Sequence, residues 1–190
     1  MRNTPHGAFT EQAAKVLDSM AHSTISNYAI PGLHSSLIGS GLAGKVRMFT
    51  CDRNHQENIT PHSHRFDFAC HVLAGNVTNK VWFEDENGDE FMLSRLMYEG
   101  APGDYERDGG RVGRFLHVVE FYRLGDWYSM RAEQIHSIEF SRGARVLFFE
   151  GPEKATSSVI LEPYINGFCI PTLHTEPWMF QRNATVVDHG

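Results

Sequence analysis

The chain has 190 residues, with 17 Lys and Arg against 23 Asp and Glu and a net charge of -6. Its length suits one domain spanning 1–190, and 41% apolar residues with 13 Phe supply a sizeable core. The mild acidity excludes a nucleic-acid protein held by a basic field, and three widely spaced cysteines (Cys51, Cys70, Cys169) without a CxxC pair exclude a disulfide framework or an all-cysteine zinc site.

The N-terminus lacks the apolar core of a signal peptide, and no apolar run is long enough to span a bilayer. A soluble, cytoplasmic protein without membrane partners is expected. Over 1–44, Phe9, Ala13, Val16, Leu17 and Met20 recur at helical spacing behind Thr10 as N-cap, which predicts a short amphipathic helix. Irregular chain is expected after it, because Pro31, Gly32, Gly39, Gly41 and Gly44 punctuate the sequence closely.

Residues 45–151 read differently. The segments KVRMFTCD, HRFDFACHVLAG, NKVWFED, EFMLSRLMY, RFLHVVEFYRL, DWYSM, QIHSIEF and ARVLFFEG are rich in β-branched and aromatic residues and separated by Gly, Asn and Asp. They predict an all-β sandwich or closed barrel. VWFED and EFMLS flank Asn87-Gly88, a pair that suits a type I′ hairpin turn. The polar, glycine-rich stretch Glu99–Gly113 is expected to be a rim loop or a lid. Residues 152–190 form an extension with Pro163, Pro171 and Pro177, which favours extended edge segments, with Trp178, Met179 and Phe180 tucked against the outside.

The count of 11 histidines resolves along the chain. His62 and His64 are two apart, so on a strand they share a face and can grip one ion. Phe66, Phe68 and Cys70 fall on that face too, while Arg65, Asp67 and His71 fall on the other. His136 shares a face with Ile138 and Phe140, a costly place for an imidazole without a partner.

His62, His64 and Gly75, followed by Gly125 and His136 at the matching spacing, resemble the two motifs of the cupins over Lys45 to Gly151. The resemblance implies a cupin-type (jelly-roll) β-barrel. The cupin glutamate slot holds Phe68, and the residues between Gly125 and His136 include Arg131 and Glu133 where cupins place Pro and Gly. A set of three histidines without the glutamate most resembles the thiol dioxygenases of the cysteine dioxygenase type. That resemblance implies Fe(II) held by His62, His64 and His136, with Ni, Mn or Zn as other occupants, and a small-molecule substrate and dioxygen as partners. Phe68 cannot form the Cys–Tyr cross-link of that group, and Cys70 lies two residues away, so no cross-link is expected.

Three imidazole ligands leave open positions for a substrate and dioxygen together, with Phe66, Phe68, Ile138 and Phe140 excluding water. His117, Tyr122 and Tyr128 are candidates for acid–base or hydroxyl roles, packing being their ordinary use. Asp67 stands as an extra ligand if a bulge turns it inward, which would suit a 2-oxoglutarate type of oxygenase; Phe66, Phe68 and Cys70 are pocket candidates. Arg65 and Asp67 otherwise belong to structural ion pairs. The remaining functional class is a non-enzymatic cupin that binds or sequesters a small molecule. Edge pairing into a homodimer stays open.

Overall fold

The computed structural model describes residues 16–17, 19–28, 30–53, 60–98, 105–169 and 185–188. Among them the elements are all β: β1 (Ser23–Ser26), β2 (Leu33–Gly41), β3 (Gly44–Cys51), β4 (Phe66–Ala74), β5 (Asn76–Tyr98), β6 (Tyr105–Arg123), β7 (Trp127–Met130), β8 (Ile135–Phe140), β9 (Arg145–Glu153), β10 (Ser157–Ile165), β11 (Phe168–Cys169) and β12 (Thr185–Asp188). They form a seven-stranded sheet, β12-β1-β2-β3-β9-β4-β7, and a second sheet, β11-β10-β5-β6, on whose β5 strand β8 also pairs. Among the described residues the strand pairing gives two sheets, as an all-β sandwich requires, and closure into a barrel is not shown.

Alternation builds the core between them. Along β4, Phe68, Cys70 and Val72 are buried, and they meet Val77 of β5, Tyr128 and Met130 of β7, Ile138 and Phe140 of β8 and Val146 and Phe148 of β9 in one cluster. His71, one residue out of phase, stacks instead on Trp127 with ring centroids 4.3 Å apart. This is the parity that the sequence dictates for a strand covered on both faces.

Three expectations change in the structure. The Asn87-Gly88 pair does not turn a hairpin: β5 runs on through it, and both of its halves pair with β6, Glu84 and Asp89 each opposite Phe115. Residues 85–88 form a bulge, with the Asn87 N–H donating to Asp85 Oδ1 at 2.8 Å, and a side chain at Gly88 would collide with the Phe115 backbone. An unbroken partner strand, rather than local turn chemistry, decides here.

The glycine-rich stretch from Tyr105 to Gly113 belongs to β6; ladder hydrogen bonds need no side chain, so Gly109, Gly110 and Gly113 do not prevent pairing with a long neighbour. The segment after Pro31, expected to be irregular, contains β2, with a register shift between Leu37 and Gly39. The C-terminal extension supplies β10, which pairs with β5 on the side opposite β6.

The helix expected over Phe9–Met20 lies largely outside the described residues, among which no helix stands as an element; Leu17 of its apolar face packs against Ile38, Met48 and Leu73. Trp178, Met179 and Phe180, and residues 99–104, also lie outside the described residues. No described helix is long and apolar enough to cross a membrane.

Gly75 links β4 to β5 at φ 67°, and a Cβ there would stand 2.7 Å from both Ala144 Cα and Ser141 Oγ. Both the backbone angle and the space demand glycine. Gly75→Ala is therefore expected to lower the free energy of unfolding by about 1–3 kcal/mol, read from urea denaturation against the parent chain.

Candidate metal centre

His62 and His64 sit on an extended segment just before β4 rather than within the strand. Backbone bonds hold that segment from both sides. His62 and His136 exchange N–H···O bonds at 2.9 Å each, Ser63 N donates to Val159 O at 2.8 Å, His64 N to Ala132 O at 3.0 Å, and Leu161 N to Pro61 O at 2.9 Å. His62 is thus an antiparallel bridge partner of both His136 and Ile160. Directly opposed residues project to the same side, which brings the first two histidines onto the third.

The three side chains converge. Their ligating atoms lie within 4.8 Å of one another, and the ring centroids stand 4.8 Å (His62–His64), 5.1 Å (His62–His136) and 5.1 Å (His64–His136) apart. Two of the rings have their tautomers set by partners that leave no choice. His62 Nδ1 faces the Thr60 carbonyl at 2.7 Å; a carbonyl only accepts, so Nδ1 carries the proton and Nε2 the lone pair. His136 Nδ1 faces Asn79 Oδ1 at 2.8 Å, while Asn79 Nδ2 donates to Glu120 Oε2 at 3.0 Å and toward Met130 Sδ. Asn79 therefore presents its oxygen to His136, and His136 Nε2 keeps its lone pair.

This donor set fits a divalent metal. His136 Nε2 and His64 Nε2 are 2.9 Å apart, and two imidazole nitrogens each about 2.1 Å from one ion at right angles to each other stand about 3.0 Å apart. The Nδ1 partners supply the outer hydrogen bonds that ligating imidazoles ordinarily require.

Electrostatics agree. Burial holds His62 below the usual imidazole range, and burial reinforced by the neighbouring imidazoles holds His64 and His136 well below it. All three are neutral near pH 7, the form that coordinates.

The cluster opens into a cavity of about 370 Å³. Phe66, Phe68 and Cys70 line it, as do Tyr128, Ile138 and Phe148. Phe68 stands 4.7 Å from the His64 ring and 5.5 Å from His136. Tyr128 is buried and lies opposite Cys70 on the β4–β7 ladder. Burial pushes the Cys70 thiol up to about 12 and raises the Tyr128 hydroxyl well above its ordinary value, as it also raises Tyr122. Cys70 is thus a thiol near neutrality, without thiolate reactivity.

The other candidates are placed elsewhere. Asp67 faces out: its carboxylate takes the Ala132 N–H at 2.9 Å and pairs with Lys154, so it does not join the cluster; Arg65, expected on the same outer face, pairs with Glu153 at 3.1 Å but also lines the cavity. His117 is exposed on β6, with its ring 4.5 Å from Trp82, and does not line the cavity. Tyr122 reaches the centre only indirectly, donating to the Glu120 oxygen that also accepts from Asn79 and stacking on Tyr128 at 4.4 Å.

Sequence reasoning missed Asn79 and Thr60. Asn79 left a signal, since period two places it on the inward face between Val77 and Val81; Thr60 left none, because its carbonyl is common to every residue.

No family model matches this sequence, and no curated protein does. Among solved structures the chain is similar to the Lactobacillus farciminis oxalate decarboxylase formate complex, at 15% identity over 70% of this chain and 31% of that one, TM-score 0.42. It is similar to Bacillus subtilis oxalate decarboxylase at 13% identity, over 74% of this chain and 30% of that one, TM-score 0.44. It is also similar to an RmlC-like cupin from Shewanella frigidimarina, at 15% identity over 67% of this chain and 83% of that one, TM-score 0.42. The chain spans about a third of the length of the oxalate decarboxylases.

Two outcomes follow from the geometry. Asn79→Ala removes the acceptor that orients His136, and metal affinity measured by chelator competition is expected to fall about 10- to 100-fold. Separately, with folded-state values depressed and unfolded imidazoles titrating near the usual 6.5, the unfolded chain takes up protons that the fold refuses as pH drops below that value. The metal-free protein is expected to lose stability between pH 7 and pH 5, by at most about 1.4 kcal/mol per pH unit for each imidazole. Urea unfolding across that range reads the slope, and a flat profile contradicts the burial of neutral rings.

Proposed function

We propose that the chain is a metal-dependent dioxygenase of small molecules, of the thiol dioxygenase-like kind, with Fe(II) held by His62, His64 and His136. The observation that carries this reading is the convergence of three neutral imidazoles, two with their tautomers fixed, at a cavity with apolar walls. When bound, Fe(II) supplies a Lewis-acidic and redox-active centre with coordination positions open for substrate and dioxygen.

The protein supplies the rest. The histidines cancel none of the ion's charge, so an anionic substrate head, a thiolate or an enediolate, is favoured there. Phe66, Phe68, Ile138 and Phe148 keep bulk water from that head, which strengthens its electrostatic attraction. The buried Tyr128 hydroxyl holds its proton near neutrality and serves as a hydrogen-bond donor on the cavity wall. Asp67 has no place in the chemistry, because Lys154 and the Ala132 N–H occupy its carboxylate; this removes the ground for a His/Asp-ligated 2-oxoglutarate oxygenase.

The test is anaerobic purification, metal analysis and oxygen-electrode measurement with a panel of small thiols and enediols. Stoichiometric iron that is lost in His136→Ala, together with oxygen uptake on at least one substrate, is the expected result. An iron-loaded protein that consumes no oxygen with any of them is not a dioxygenase of this kind, and the remaining role is ligand binding.

A further inference from the structure

The walls of the cavity combine aromatic and charged side chains. Beside His64 lie Phe68 and Phe66, at 4.7 and 5.4 Å. Phe148 continues from Phe68 at 4.9 Å, Phe49 from Phe148 at 5.5 Å, and Tyr28 from Phe49 at 5.6 Å. The aromatic surface is therefore continuous from the cluster across β4, β9 and β3.

On β3 the same inward face goes on to charge. Period two puts Phe49, Arg47 and Lys45 on one side of the strand, and all three line the cavity. Across the ladder from β3, Arg47 lies opposite Phe148 and Lys45 opposite Glu150. Arg65 lines the cavity as well, so its cationic wall residues are Lys45, Arg47 and Arg65, against Glu150 as carboxylate.

The bookkeeping of charge is uneven. Glu150 is shared, with Lys45 at 3.1 Å and Arg47 at 3.9 Å, so one carboxylate answers two cations. Arg65 pairs with Glu153, which does not line the cavity. In a chain of net charge -6, this interior surface carries a surplus of positive charge. The Arg47 and Glu150 side chains are only 20% and 11% exposed, so solvent screens them less than it would an open surface, while Lys45, 46% exposed, is screened more.

Size adds a further constraint. An apolar cavity of about 150 Å³ holds benzene, whereas this one is about 370 Å³; a substrate of a few heavy atoms leaves most of the aromatic surface unfilled.

We propose that the cavity takes an amphipathic anion: an aromatic or aliphatic body lying on Phe68, Phe148 and Phe49, with a carboxylate-type group at Arg47 and Lys45, away from the histidines. The assignment rests on the reading of His62, His64 and His136 as the metal-facing end of the cavity and adds the class of molecule that fills the remainder. Arg47 offers the guanidinium fork that matches a carboxylate, and Lys45 a second, more mobile charge.

Calorimetric titration of the full chain with 4-phenylbutyrate, 4-phenylbutan-1-ol and butyrate tests this, before and after metal removal by a chelator. Phenylbutyrate is expected to bind at least about tenfold more tightly than either the alcohol or butyrate, a charge-assisted hydrogen bond being sufficient for that factor. Arg47→Gln is expected to remove that advantage over the alcohol while leaving alcohol binding unchanged. Lys45→Gln, at an exposed position, gives a smaller loss of the same kind and keeps the test open if Arg47→Gln does not fold.

An alcohol bound as tightly as the acid overturns the anionic part, and butyrate bound as tightly as phenylbutyrate overturns the apolar body. Failure of all three ligands to bind overturns the whole. If the preference for acid disappears on metal removal, the carboxylate sits on the metal and the assignment to Arg47 is wrong. Metal analysis of the same samples reports separately on the three-histidine reading: absence of metal with the acid preference intact overturns that reading and leaves the ligand class standing.

Discussion

The pair of backbone bonds between His62 and His136, 2.9 Å in each direction, is the constraint on which the rest of the centre depends. The two histidines are 74 positions apart in the chain, and neither alone has a reason to face inward. Once paired, they must project to the same side, and the bond from His64 N to Ala132 O carries the third imidazole to the same place. The segment before β4 is also fastened on its other edge, through Ser63 to Val159 and Leu161 to Pro61. It is held like a central strand although it forms only isolated bridges, and this leaves its side chains little freedom to drift from the cluster.

Around that frame, polar groups are spent on direction rather than on charge. Burying imidazoles among Phe68, Ile138 and Phe148 is costly unless their N–H groups are satisfied. Thr60 and Asn79 satisfy two of them in a manner that also orients the ring lone pairs inward. Asn79 is itself held by Glu120, which Tyr122 approaches at 2.7 Å, and Tyr122 leans on Tyr128 at the cavity wall. Orientation at His136 thus reaches back through three side chains to β6, a strand that contributes no ligand of its own. A carboxylate, an amide and a phenol supply this support, while the nitrogens at the centre remain uncharged.

Legibility in the sequence followed from how local the cause was. Alternation in β4 and β8 reveals Phe66, Phe68 and Cys70 as inward and His71 as outward, because strand parity is a property of a few consecutive residues. The histidine pair was visible from the same alternation, whereas the spaced Gly125 and His136 were visible only through the resemblance to the cupin motifs. Where pairing with a distant strand overrides local preference, reading failed. Asn87-Gly88 has turn chemistry but lies beside an unbroken β6, and Tyr105–Gly113 has loop composition but borrows order from β5. β2, rich in Ser and Gly, takes its strand character from β3 and β1. Parity likewise placed Asp67 on the outer face; its partners Lys154 and Ala132 lie far along the chain, and no spacing rule reveals them.

Phe68 connects the centre to the space above it. It is 4% exposed, packed against His64, His136 and Phe148, and it presents no charge to a bound ion. With Phe68 in that position the cluster offers only neutral nitrogen, and any divalent ion held there keeps its charge uncompensated by the protein. Along β3, on the same cavity, Lys45 and Arg47 exceed the charge that Glu150 can answer. Both ends of the cavity are then short of negative charge, while Phe49, Phe68 and Phe148 leave the middle with nothing to offer a polar group. At Arg47, which is largely shielded from solvent, that shortfall is met by whatever enters the cavity. The identity of the anion that balances these charges is therefore a property of the ligand rather than of the chain.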